Sequence, residues 1–246
     1  MSKAPRAEAT RQRVLDAALA VYRAHGHEGF NVHAIVAESG VSLGSLYHHF
    51  GSMDGLAAAL YARSMNKLLD RVAAALGCAD SLRAGVTGIV TAYLTFARKH
   101  RSAMSFIHAS AYASFLPAHA ETIQESKARM LEIRAFFAAH AAAGRIIDMP
   151  VSLLEVLVIG PVAELTRRWL SAPSSFDLEL AEQTLPDRIV ASIEQRPQQP
   201  RDTRARAPVK ADKRATRTRQ PHQRKPAEPN PRAAHTGLSA AKRKRT

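Results

Sequence analysis

VHAIVAESGVSLGSLYHHFGSMDGLAAAL, running from Val32 to Leu60, holds two short helical patterns parted by Ser39-Gly40-Val41-Ser42. In the first, Val32, Ile35 and Val36 recur at i, i+3 and i+4, which gathers them on one helical face. Asn31 just before it suits an N-cap, since its side-chain oxygen can accept a first-turn N–H. Gly40 stands where that helix must stop, because the left-handed conformation that ends helices costs glycine least. Ser42 then caps a second helix of one to two turns, on which Leu46 and Phe50 point back at the first. The spacing predicts a helix-turn-helix.

What the second helix leaves uncovered bears on function. At about 100° per residue, Gly44 and His48 lie opposite Leu46, with Leu43, Ser45, Tyr47 and His49 flanking them. This outward face carries no acid. It suits a nucleic-acid duplex: Gly44 lets the backbone approach, and Ser42, Ser45, Tyr47 and His48 can donate to phosphates or base edges. Leu43 can touch a thymine methyl. The same pattern also fits a solvated helix in an ordinary α-bundle, so the spacing alone leaves both readings open.

Length and charge narrow the class. The 246 residues suffice for one large domain or two small ones with a real core. Ala-rich windows dominate, and no alternating strand-like run with turn pairs occurs, which predicts an all-α protein. The net charge of +14 is uneven. Residues 197–246 hold 15 Lys/Arg against 3 Asp/Glu, and the other 196 residues hold 20 against 18. The basic pI is therefore a property of the tail and says nothing about the folded part. Within the folded part the extreme N-terminus is locally basic, with Lys3, Arg6, Arg11 and Arg13 against Glu8. Seven prolines, no aromatic, and Val209 and Leu238 as the only large aliphatics predict a disordered tail.

Outward from the central stretch, the chain reads as a series of helices. Residues 8–25 carry a stripe of Val14, Ala17, Ala18, Val21 and Tyr22, ended by Gly26. A long Ala/Leu-rich helix is expected from Met53 to about Leu76. Ser81 to His100 and Ser102 to Ala113 follow, then a helix opened by Pro117 and closed by Gly144. An apolar helix over 151–171 and a last one over 176–195 complete the series, with Pro186 expected to kink or split the latter. The predicted division is 1–52 for an N-terminal arm and helix-turn-helix, 53–196 for a helical bundle, and 197–246 for the tail.

Thr10-Arg11-x-Arg13-Val14-Leu15-x-Ala17-Ala18, Gly26, Asn31-Val32-x-x-Ile35 and Gly40-Val41-Ser42-x-Gly44-Ser45-Leu46-Tyr47-His48-His49-Phe50-x-Ser52-x-x-x-Leu56 together resemble the tetracycline-repressor (TetR) family of bacterial transcriptional regulators. The resemblance covers about residues 8–60 and weakens beyond, although Ile159-Gly160-Pro161 and Arg167-x-Trp169-Leu170 are similar to the penultimate helix of many members. It implies DNA contacts from Asn31 and His33 and from Ser42, Leu43, Gly44, Ser45, Tyr47 and His48. Met53 departs from the pattern, which has a phosphate-binding lysine there. His27 departs too, replacing an aromatic, and is expected to loosen local packing.

The resemblance further implies a homodimer joined through about 151–195, two reading heads about 34 Å apart over a palindrome in double-stranded DNA, and a small-molecule inducer enclosed by the middle helices. From the residues alone, 151–165 equally fits the centre of a monomeric bundle. Candidate pocket residues are Tyr93, Phe96, Met104, His108, Tyr112, Phe115, Phe137 and Trp169, each of which equally fits a plain core. Their apolar, aromatic character points to a lipophilic inducer, with His108 and His119 as polar candidates. The expected function is a ligand-responsive dimeric repressor. The alternative is an architectural DNA-binding protein dominated by its tail, with no inducer.

Other classes find no support. There is no HExxH, no Gly-rich phosphate loop, no nucleophile elbow and no paired-carboxylate constellation, so no metal, no cofactor and no enzyme activity are expected. The lone Cys78 fits a reducing compartment. MSKAPRAEATRQR holds no apolar leader, and Glu155, Glu164, Arg167 and Arg168 interrupt the most apolar helix. The expected location is the bacterial cytoplasm, at the nucleoid, with no membrane contact.

Overall fold

A computed structural model describes residues 3–110 and 115–195, apart from the side chains of 3, 4 and 115. The predicted disordered tail lies outside the described residues. Those described form ten α-helices: α1 (Lys3–His25), α2 (Val32–Ser39), α3 (Leu43–Phe50), α4 (Met53–Gly77), α5 (Leu82–Lys99), α6 (Arg101–Ser110), α7 (Phe115–Ala118), α8 (Gln124–Ala142), α9 (Val151–Ser171) and α10 (Leu178–Ile193). A 3-10 turn at Pro173–Ser175 joins the last two.

Helix starts follow the predicted capping chemistry. Asn31 Oδ1 accepts the Ala34 N–H at 3.0 Å, Ser42 Oγ that of Ser45 at 3.2 Å, and Ser52 Oγ that of Gly55 at 2.9 Å. Gly40 ends α2 in the left-handed region at φ 63°, and Gly51 ends α3 at φ 73°. A Cβ at either position would strain the backbone, so both turns hold their angle through glycine.

Two apolar clusters share α4. The first gathers Val14, Leu15 and Ala18 of α1, Ile35 of α2, Leu46 and Phe50 of α3, and Leu56 and Leu60 of α4. Burying each large aliphatic there contributes roughly 1.5–3 kcal/mol. This cluster is closed from outside by Phe106 of α6, edge-on to Tyr22 at 5.0 Å and tilted against Phe30 at 5.4 Å. Phe30 thus supplies the aromatic packing that His27, itself exposed, does not. The second cluster joins Leu68, Leu69, Val72 and Leu76 of α4 to α5, α8, α9 and α10. Arg63 ties α4 to α1: its guanidinium meets Asp16 at 2.7 Å, the Leu15 carbonyl at 2.9 Å and Gln12 at 3.3 Å.

Several boundaries differ from expectation. α1 begins at Lys3, not residue 8, because Pro5 falls in the first turn, where helix N–H groups have no internal partner anyway. The expected helix from Pro117 to Gly144 is two pieces. α7 ends at Ala118, and i→i+3 bonds from His119 to Leu116 and from Thr122 to His119 turn the chain before α8 begins. Residues 111–113 of another expected helix lie outside the described residues. Pro186 does not split α10, which runs unbroken with that proline buried. One ladder bond is lost there, while Ile189, Val190 and Ile193 bury on the core and hold the helix together.

Candidate nucleic-acid interface

The outward face of α3 stands as its periodicity requires. Leu46 and Phe50 are buried, whereas Leu43 is 42% and Tyr47 41% exposed. Ser42, Gly44 and His48 are exposed, and Ser45 is half-buried. The capping oxygen of Ser42 is taken by the Ser45 N–H, but its own O–H remains a donor. His48 lies edge-on to His49 at 5.6 Å. A Cβ added at Gly44 would meet nothing within 4 Å, so the protein leaves the space above that backbone open.

Asn31 and His33, at the start of α2, are also exposed. The Asn31 amide already serves the fold at both ends, capping α2 through its oxygen and donating through Nδ2 to the Gly29 carbonyl at 3.2 Å. One of its two amide protons is left for an outside acceptor. Met53 is half-buried against the first cluster and supplies no cation. A cation of the basic N-terminus does reach the end of α3. Arg11 of α1 lies over the Phe50 ring, 5.5 Å from its centroid, beside the end of α3. Its signal in the sequence was the basic N-terminal arm.

Among the described residues, two of the proposed pocket residues border clefts, and different ones: Phe96 the one beside α1, Phe137 the one beside α9. Phe96 and Met104 are fully buried, and Tyr93 and Phe137 nearly so. They fill the core because large apolar side chains have the most to gain from close packing. Tyr93 and His108 do meet, hydroxyl to Nε2 at 3.4 Å. Burial, with Tyr61 beside it, pushes the Tyr93 phenol well up, and burial together with Arg167 holds the His108 imidazole down. Trp169 is stacked by Arg101, 5.1 Å from its ring centroid. Tyr112 and the side chain of Phe115 lie outside the described residues. His119 is half-buried.

The two clefts differ in character. One of about 890 Å³ runs between α8, the loop before α9 and α9 itself; Ile133, Phe137, Ile146, Met149, Leu154 and Val158 line it. Arg134 and Glu155, paired with each other, also line it. The other, of about 960 Å³, lies between α1, α4 and the corner where α5 meets α6, and Phe96 touches it. Ile146, Ile147 and Met149 escaped notice because they sit in a loop without periodicity, shaped when Ile147 donates to the Ile193 carbonyl at 2.9 Å. Among the described residues, no three His, Cys, Asp or Glu side chains could together hold a metal ion, and no helix is long and apolar enough to cross a membrane.

Residues 14–60 match the family model described as bacterial regulatory proteins, tetR family. No curated protein sequence matches the chain significantly. Among solved structures, a TetR family transcription regulator from Marinobacter aquaeolei VT8 is similar at a TM-score of 0.66 and 17% identity, over 78% of this chain and 99% of that one. The regulator FadR from Bacillus subtilis, in complex with stearoyl-CoA, is similar at 0.63 and 17%, over 74% and 98%. The ketosteroid regulator KstR2 of Mycobacterium tuberculosis is similar at 0.55 and 18%, over 76% and 95%. Residues 14–60 are thus similar to the helix-turn-helix segment that the tetR family model describes, and the described chain shares its helical architecture with these solved regulators.

Proposed function

We propose that the protein is a dimeric repressor that reads a palindromic operator through α3 and is released from it by a lipophilic small molecule. The observation that carries the reading is the exposed, acid-free face of α3, on which Tyr47, His48 and the open Gly44 stand over a fully buried Leu46. Such a face fits a major groove, where hydroxyl and imidazole groups meet base edges and an absent side chain admits the phosphate backbone.

Dimerisation through α9 and α10 is supported by the row of exposed apolar residues they carry. Leu153 is 48%, Val156 62% and Leu180 59% exposed, while Leu154, Val158 and Val162 on the opposite side of α9 are buried. A helix apolar on both sides is stable in water only if a partner covers the second. For the inducer, the cleft between α8 and α9 is large enough for a drug-sized apolar compound, and its lining is mostly aliphatic. Two structural neighbours bear names pointing to such ligands, stearoyl-CoA for one and a ketosteroid for the other.

The test is a fluorescence-anisotropy titration of the full chain with a palindromic duplex from upstream of its own gene, against a scrambled duplex of equal length. The repressor predicts a large preference for the palindrome, lost in Tyr47→Ala. Equal affinity for both duplexes overturns it in favour of an architectural DNA-binding protein.

A further inference from the structure

We propose that the cleft between α1, α4 and the α5–α6 corner is a binding site for a small phosphorylated molecule bearing at least two negative charges. Six Lys and Arg side chains line it, and Asp16 is its sole acid among the described residues. That acid is already spent on Arg63. Arg23, Lys67 and Lys99, one from each of the three walls, have no acidic partner among the described residues.

The remaining cations are held in place by the fold. Arg63 is fixed by three acceptors, Arg98 by Glu182 at 2.9 Å, and Arg101 by the Leu170 carbonyl at 2.9 Å. Asp16 and Glu182 match the charges of Arg63 and Arg98, so the unmatched charge at the cleft is that of Arg101, held in place, and of Arg23, Lys67 and Lys99, whose lysines supply flexible point charges of the kind that meet phosphate. The first turn of α6 adds to this. Ser102 and Ala103 line the cleft, and the N–H groups of a helix start have no partner inside the helix and favour an anion.

His100 at the corner registers the resulting field. Burial, followed by Arg71, Lys67 and Lys99, holds its imidazole below the usual histidine range. Its Nε2 faces the Arg71 guanidinium at 3.4 Å. Arginine can only donate, so in this contact Nε2 is the acceptor.

Size and position decide between candidate anions. About 960 Å³ is far more than a lone phosphate fills and fits a nucleotide-sized molecule. A monocarboxylate would leave most of the positive charge unmatched. A duplex on α3 lies too far off: no residue of α2 or α3 lines the cleft, and Lys67 is 14 residues along α4 from Met53, about 21 Å of helix. The basic tail carries the wrong sign. The site is also separate from the apolar cleft between α8 and α9, with which it shares no lining residue.

The test uses the full chain and its sole tryptophan, Trp169, stacked by Arg101 at the rim. Titration with inorganic pyrophosphate, and separately with ADP, is expected to change the tryptophan fluorescence saturably. Lys67→Ala with Lys99→Ala should weaken that response at least tenfold, with an unchanged circular-dichroism melt. Arg23→Ala should weaken it severalfold and serves alone if the double variant does not fold. An absence of saturation overturns the proposal. So does an equal response in the variants, which would place the anions on the tail. A loss of duplex affinity in the double variant matching its loss of pyrophosphate affinity overturns it too, by making the cleft a DNA-backbone contact. No DNA enters the primary readout, so this result and the operator test fail independently.

Discussion

The phenolic oxygen of Tyr22, on α1, lies 3.5 Å from Oγ of Ser105, on α6. Beside that contact the Phe106 ring stands at 89° to the Tyr22 ring. The cluster around the helix-turn-helix is thus completed by Phe106, which lies 56 positions beyond Phe50, and the two short helices are not cored by themselves alone. Phe106→Ala should cost about 3–5 kcal/mol, the usual range for emptying a buried phenylalanine site. Tyr22→Phe should cost under about 1 kcal/mol, because a bond at the limit of hydrogen-bond length is worth little. Urea unfolding followed by circular dichroism checks both; near-equal costs would mean the ring packing is not what joins the two regions.

Gly44→Ala separates folding from reading. The new methyl meets nothing within 4 Å, and alanine is the better helix former by up to about 1 kcal/mol, so the melting temperature should stay or rise. The same methyl would stand between α3 and a duplex, so palindrome affinity should fall by about tenfold, or 1.4 kcal/mol. A variant that binds as well as the parent would show that DNA does not approach this backbone.

The apolar outer side of α9 offers a second division. Leu153→Glu with Val156→Glu replaces two exposed residues and should leave the protomer folded. Sedimentation should then show monomers, and operator affinity should drop with the loss of the second reading head. Dimers persisting in the variant would place the interface elsewhere.

Acid should weaken the fold in two separate windows. His100, His108 and His140 are all held below their ordinary value of 6.5, each chiefly by burial. As pH falls past 6.5, the unfolded chain takes up protons that the folded chain refuses, so stability is whole above that pH and declines beneath it. Glu164 loses its contribution in the same direction but at lower pH: hydrogen bonds from Arg167 and Arg168 hold it down to about 2, so the loss falls between 4.5 and about 2. Thermal melts from pH 7.5 to 5 should therefore slope downward, and a flat profile would contradict the assignment for the histidines.

The helix-turn-helix was legible because every signal in it is local. Asn31, Gly40, Ser42 and Gly51 act through backbone bonds within a turn of themselves, and Leu46 and Phe50 face inward by spacing alone. The cavities were not legible, for a physical reason. Aromatic and sulfur-bearing residues attract attention as ligand contacts, yet these are the side chains that close packing claims first, as Phe96 and Met104 show. The clefts form where packing stops, at α-helix corners and in the loop of Ile146 and Met149, and only the tertiary arrangement reveals which corners meet. The run Arg98-Lys99-His100-Arg101 escaped notice because nothing local shows that Arg23 and Lys67 stand across from it.

Arg63 has a mechanical consequence. A guanidinium is flat and stiff, and this one holds Gln12, Asp16 and the Leu15 carbonyl on a neighbouring helix at once. For α4 to rotate while α1 stays behind, these three bonds must break. A turn of the long helix is therefore passed on to α1, and α2, packed against α1, lies next along that path.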